Sequence, residues 1–227
     1  MRLFLTSILL LCLCIPASSQ EEKQRDSVTL RDFIPSGIRV GADVYALIRS
    51  QYDDRFNGWE LNAEMDVHRY FVAFEMGNWQ LDLNTVDADD TGPAVYANKG
   101  TYFRIGADMN FIPRDTHGNV LFLGARYGRS IFSETLTTTV MDPVWGQRDV
   151  QFHTDDANAR WIELTGGLRV RLWKVLWLGY TARFKFGLST HGTGNMEPHD
   201  VPGYGSNEER TTWGFNYLVL VRFPLRK

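Results

Sequence analysis

From Ile38 onward the chain alternates apolar and polar residues in runs of about ten, the period-two pattern of β-strands with two unlike faces. The purest run is Trp59 to His68, where Trp59, Leu61, Ala63, Met65 and Val67 interleave with Glu60, Asn62, Glu64, Asp66 and His68. The same reading predicts eight strands: Ile38–Ser50, Trp59–His68, Tyr70–Gly77, Thr101–Phe111, Leu121–Gly128, Ile162–Leu172, Leu176–Phe186 and Thr212–Leu225. The fifth has room to run on through Ile131 and Leu136. Polar stretches at Gln51–Gly58, Leu81–Asn98, Thr138–Asn158 and Ser189–Arg210 read as long loops, and they alternate with turns of only a few residues.

Long connections at one set of ends and short turns at the other are the habit of outer-membrane barrels, with the long loops external and the turns periplasmic. The apolar faces also end in aromatics at both levels. Tyr70, Phe111 and Phe223 fall near the short turns, whereas Trp59, Phe186 and Trp213 fall near the long loops, giving two girdles. The expected fold is therefore all-β: an eight-stranded antiparallel transmembrane β-barrel. A soluble lipocalin-like barrel is the alternative that alternation alone permits, with the aliphatic faces turned inward.

The polar faces argue against that alternative. By parity they collect Asp43, Glu60, Glu64, Asp66, Glu75, Asp108 and Glu163 with Arg39, Arg104, Arg126, Arg169, Arg171, Arg183, Lys185 and Arg222, a near balance of charge. Eight strands enclose only enough room for side chains. The expectation is thus a filled lumen rather than an open pore, with Asp43, Glu64 and Glu75 of the first three strands facing Arg104, Arg126 and Arg183 of later ones.

The start of the chain sets the address. Arg2, an apolar run from Leu3 to Ile15 and the small residues Ala17-Ser18-Ser19 read as a signal peptide over residues 1–19. Residues 20–36 form a flexible periplasmic lead-in, and 37–227 the barrel. Both cysteines, Cys12 and Cys14, lie in the leader, so no disulfide framework is expected. Removing the leader leaves 23 basic and 27 acidic residues, a balance of −4, which offers nothing to a nucleic acid. No later stretch approaches the roughly 20 apolar residues of a membrane helix, so a membrane span must be built of strands.

Several segments, I-R-V-G-A-D (38–43), G-W-E-L-N-A-E-M-D (58–66), Y-F-R-I-G-A-D-M-N-F (102–111), G-A-R-Y-G-R-S-I-F-S-E-T-L (124–136), A-R-W-I-E-L-T-G-G-L (159–168), L-G-Y-T-A-R (178–183), V-P-G-Y (201–204) and G-F-N-Y with the closing F-P-L-R-K, resemble an uncharacterised family of Bacteroidota proteins, domain-of-unknown-function family 6048. That resemblance implies an outer-membrane β-barrel of a Gram-negative bacterium without an assigned activity. It carries over no catalytic residue.

Candidate chemistry is sparse. His68 falls at the periplasmic end and His117 in a periplasmic turn, away from any external rim site. His153, His191 and His199 lie in external loops beside Asp155, Asp156, Glu197 and Asp200, residue types that suit a hydrolytic or metal site, but without ligand spacing on a rigid element. Glycine-rich stretches at Thr190–Gly194 and Gly203–Ser206 match no phosphate-binding motif. Trp79, Trp145 and Trp161 have no evident place, and Trp145 is a candidate contact residue. The expected function is a structural or interaction barrel without cofactor, touching outer-membrane lipid, with another membrane or periplasmic protein as a candidate partner. An outer-rim enzyme acting on lipid or peptide and a narrow channel are the alternatives.

Overall fold

A computed structural model describes residues 34–88, 92–144 and 146–225. Among the described residues, ten strands and one helix follow in order: β1 (Gly37–Asp43), α1 (Val44–Tyr52), β2 (Phe56–Val67), β3 (Tyr70–Ala88), β4 (Gly92–Asn110), β5 (Val120–Asp142), β6 (Gly146–Arg171), β7 (Leu176–Gly194), β8 (Asp200–Val201), β9 (Gly205–Ser206) and β10 (Thr211–Pro224). β1 to β7 and β10 close an antiparallel barrel, each strand pairing its sequence neighbour and β10 returning to β1. β8 and β9 form a separate two-stranded sheet.

Alternation decides which way each face turns. β2 reads buried and exposed in strict succession, with Glu60, Asn62, Glu64 and Asp66 inside and Trp59 and Leu61 outside. Across the barrel, Leu164 is 55% exposed, Leu123 59% and Phe215 52%, while Glu75 and Glu163 are fully buried. Charge inside and aliphatic surface outside is the reverse of a soluble barrel, and fits a closed sheet that crosses a bilayer with its backbone bonds satisfied strand to strand. No described helix is long and apolar enough to cross a membrane. The predicted girdle residues divide as the alternation implies: Tyr70, Phe111 and Phe223 at the turn end, and Trp59, Phe186 and Trp213 toward the hairpin end.

Three expectations are overturned. Leu81–Asn98 and Thr138–Asn158 are not loops, because β3 pairs β4 up to Ala88↔Gly92 and β5 pairs β6 up to Asp142↔Gly146. Above a bilayer both faces of a strand meet water, so the ladder continues after the apolar signal stops. Ser189–Arg210 likewise begins as strand, to Gly194.

A fourth correction concerns the first strand, which ends at Asp43 rather than at Ser50. Asp43 caps α1, its side chain accepting from the Tyr45 N–H at 3.0 Å, and Val44, Leu47 and Ile48 then fall at helical rather than strand spacing. The consequence is a seam. β1 pairs β10 only from Gly37↔Pro224 to Asp43↔Leu218, so Thr211–Tyr217 of β10 and Phe56–Glu60 of β2 lack a strand between them. α1 bridges the gap: Ser50 Oγ accepts from the Gly58 N–H and donates to the Gly58 carbonyl, and Asp43 accepts from the Tyr217 N–H.

The expected signal peptide and residues 20–33 of the expected lead-in lie outside the described residues. Ser36 continues the ladder, donating to the Asp66 carbonyl while its own carbonyl accepts from Leu225.

Candidate functional site

The lumen is filled at three levels. At the turn end, Phe71, Val120, Phe122, Trp177, Leu218 and Leu220 form a buried apolar cluster. Arg39 lies between the rings of Phe71 and Trp177, 4.5 and 5.1 Å from their centroids, and Arg169 lies over Phe122. The charge of both is met by Glu64, at 3.0 Å from Arg39 Nε and 2.6 Å from Arg169 Nη2. Asp66 takes Arg39 and Arg222.

The middle level is a network around Glu75, whose carboxylate meets Arg104 at 2.9 Å, Arg183 at 2.9 Å and Arg126 at 3.6 Å. Arg126 makes a fork on Asp108, both bonds at 2.6 Å. Glu163 accepts from Arg183 at 2.8 Å and from Trp161 Nε1 at 2.7 Å, while Glu60 accepts from Arg104 and from Tyr102 Oη. Bidentate and charge-assisted bonds of this kind fix side chains that would otherwise be ruinous to bury.

Five of the six residues expected in the lumen network therefore lie in ion pairs: Glu75 meets all three expected arginines, whereas Glu64 and Asp43 find other partners. Glu64 serves Arg39 and Arg169. Asp43, buried at the head of α1, accepts from Asn216, Tyr45 and Tyr217 instead of from an arginine. Arg171, grouped by parity with the lumen, is exposed beside the β6–β7 turn, where the barrel ends and the face no longer matters.

The third level is a loop. Val201, Pro202, Gly203 and Tyr204 fold into the mouth of the barrel and are all buried. They pack on Tyr102, Phe132, Ala157, Ala159 and Trp161. Gly203 has φ +79°, and a Cβ there would stand 2.5 Å from the Tyr102 ring, so the tip needs glycine on both counts.

Two ionisable groups of the wall grip this loop by its backbone. Glu134, 1% exposed, accepts from the N–H groups of His199 and Asp200, both at 2.9 Å, and from Tyr96 Oη and Asn98 Nδ2. Lys185 Nζ donates to the carbonyls of Gly203 at 2.8 Å and Tyr204 at 3.0 Å. A carboxylate on two donors and an ammonium on two acceptors make a latch. Burial and the neighbouring Glu134 carboxylate push the Asp200 carboxyl above the usual aspartate range.

Parity could have found Glu134, which shares the face of Arg126 and Gly128 once the fifth strand runs on to Leu136. Nothing in the sequence marks V-P-G-Y as a plug, because an inserted loop has no period. Trp161 now has a place as the partner of Glu163, and Trp79 stands edge-on to Phe56 at 5.6 Å. Trp145 lies outside the described residues.

The three external histidines are dispersed. His153 Nε2 is 3.7 Å from Asp155, His199 Nδ1 is 3.6 Å from Glu208, and His191 pairs in register with Asn158. Among the described residues no group of three or more His, Cys, Asp or Glu side chains could hold a metal ion.

The family described as "Domain of unknown function (DUF6048)" matches residues 1–227. No curated protein matches the chain. Solved structures that align with it include the Neisserial surface protein A, at 10% identity and a TM-score of 0.34, covering 84% of this chain and 96% of that one. Ail, the attachment invasion locus protein of Yersinia pestis, aligns at 10% identity and TM-score 0.38, covering 83% and 98%. CarO of Acinetobacter baumannii aligns at 13% identity and TM-score 0.37, covering 85% and 99%.

Proposed function

Starting from a chain that belongs to the DUF6048 family, we propose that it is a small outer-membrane barrel that conducts nothing and works through its outer surface, as a structural or interaction barrel. The carrying observation is the lumen itself. An apolar cluster, a charge network and a latched loop succeed one another along it, and the interior of an eight-stranded barrel is only wide enough for side chains, which here block the axis. The short turns then face the periplasm and the long β3–β4 and β5–β6 hairpins face outward.

The β5–β6 hairpin carries Val140, Met141 and Val144 at its end, with Met141 71% and Val144 79% exposed. An apolar tip held in water by a long hairpin suits contact with a second protein. Planar-bilayer recordings test the closed state: no unitary conductance is expected, and steady unitary currents from the wild-type chain would reject it. Crosslinking through the hairpin tip in native membranes tests the contact. A discrete, recurring adduct is expected, and recovery of the lone barrel alone would count against it.

A further inference from the structure

The seam between β10 and β2, beyond the end of β1, opens a second site, in the wall rather than along the axis. A cavity of about 220 Å³ lies behind α1, lined on its inner side by Asp43, Glu60, Arg104 and Lys185 and on its outer side by Tyr45 and Phe215. Its charged lining belongs to the lumen, while Tyr45 and Phe215 are exposed on the barrel exterior. Tyr45 and Phe215 also line a groove of about 390 Å³ on the barrel exterior, completed by Tyr180 and Tyr217. Rings pack across β7 and β10 there, Tyr180 to Phe215 at 6.1 Å and Tyr180 to Tyr217 at 5.3 Å, and Tyr45 and Phe215 border both the groove and the cavity.

The charges at the inner end are unequal in what they still need. Arg104 is held by Glu60, Glu75 and Glu163, and Asp43 accepts from three N–H donors. Lys185 is 7% exposed, gives two bonds to loop carbonyls, and among the described residues has no carboxylate within ion-pair distance, so one of its three donors remains. The indole N–H of Trp79, which also lines the cavity, is buried without an acceptor among the described residues. An acceptor-only anion would satisfy both. The cavity is smaller than the roughly 300–1,000 Å³ of sites that enclose a whole drug-sized ligand, so it takes a headgroup and the first methylenes, not a complete lipid.

We propose that the seam is a lateral binding site for a single-chain amphiphile drawn from the membrane, its anionic head against Lys185 and Trp79 and its chain passing between Tyr45 and Phe215 into the aromatic groove. α1 is the part of the wall beside which such a chain would enter, since none of its residues is buried and the Ser50 and Asp43 side-chain bonds stand where seven residues of β10 lack a β1 partner.

The full chain in nanodiscs of zwitterionic phospholipid, exposed to laurate bearing a diazirine on its chain, tests this. Labels are expected on α1 and on β10 near Phe215, suppressed by excess laurate and not by dodecyltrimethylammonium. Ala46→Trp, which fills the cavity from α1, should abolish the suppressible labelling. Lys185→Met should weaken it about tenfold or more, the scale of a lost charge-assisted bond. Heat-modifiable migration checks that both variants form barrels, and protease resistance between Asn195 and Arg210 checks that Ala46→Trp keeps the loop latch closed. Even labelling around the outer belt, labelling that survives Ala46→Trp in a folded barrel, or equal competition by the ammonium amphiphile would each overturn the proposal.

Discussion

Glu75→Gln removes one charge and almost no volume from the centre of the lumen, where three arginines converge on a carboxylate with no exposure to solvent. At an effective dielectric near 20, each unit pair about 4 Å apart is worth about 4 kcal/mol, so the three contacts total about 12 kcal/mol gross. Most of this returns, because the carboxylate no longer bears the several kcal/mol cost of its own desolvation. The arginines also keep other partners: Arg104 has Glu60 and Glu163, Arg183 has Glu163, and Arg126 has Asp108. What remains is the one-sided break of a buried pair, about 3–5 kcal/mol. With a urea slope of about 2 kcal/mol/M, the unfolding midpoint of the barrel in detergent should fall by about 1.5–2.5 M. Tryptophan fluorescence across a urea series measures it, and Trp161, bonded to the adjacent Glu163, supplies a local reporter. Asp53→Asn is the control: that carboxylate pairs with Arg49 and Arg55 at the exposed base of α1, and no shift is expected. A fall of under about 0.5 M for Glu75→Gln would refute the view that the network is held together by its charges.

Other consequences separate the wall, the loop and the lipid belt. Leu164→Arg places a charge on the outward face near mid-height and should cost about 2–4 kcal/mol in a bilayer, whereas Met141→Arg at the hairpin tip should cost nothing measurable; equal effects in a urea titration from liposomes would contradict the membrane placement. Gly203→Ala combines a left-handed backbone with the Tyr102 ring and should weaken the loop by about 1–3 kcal/mol, seen as faster proteolysis between Asn195 and Arg210 with the barrel still heat-modifiable. The raised pKa of Asp200 means the latched loop binds its proton more tightly than the released one. Its contribution is full below the ordinary value of 3.8 and declines as pH rises through the raised value. Hydrogen exchange at the His199 and Asp200 amides, corrected for intrinsic rate, should therefore quicken over that window, and Asp200→Asn should flatten the profile; an unaltered profile would remove Asp200 as its cause. Glu134→Ala deprives those two amides of their acceptor and should expose the loop to protease at every pH.

The eight barrel strands and the sense of every face were legible because a bilayer imposes two unlike environments on alternate residues. Within that zone the pattern is forced: Leu61, Ala63 and Met65 must meet lipid if Asn62, Glu64 and Asp66 meet the lumen. Beyond it the force vanishes. Asp82 and Asn84 of β3, or Thr137 to Thr139 of β5, are as good in water on one face as on the other, so the ladders that carry them leave no period. Charge balance, too, was readable as a sum but not as a wiring. Which arginine reaches Glu64 depends on strand tilt and on the reach of long side chains across the barrel, neither of which is written in the spacing of one strand.

The seam and the latched loop were hidden for a deeper reason. Both replace strand ladder with side chains that do a backbone's bonding: Ser50 for the missing partner of Gly58, Asp43 for that of Tyr217, Glu134 for the amides of His199 and Asp200, Lys185 for the carbonyls of Gly203 and Tyr204. Ser, Asp, Glu and Lys in these places look like ordinary polar residues. Val44–Tyr52 even alternates well enough to imitate a strand, and only the capping bond of Asp43 tips it to helix. A closed sheet has no weak edge, so a barrel that interrupts its own ladder gives up strand pairing at that point. Here the interruption is bonded over, lies beside an aromatic surface and leads to an ammonium with one donor to spare. Those features separate it from a chance irregularity. Where the chain departs from the repeating pattern that makes it a barrel is where its particular chemistry is concentrated.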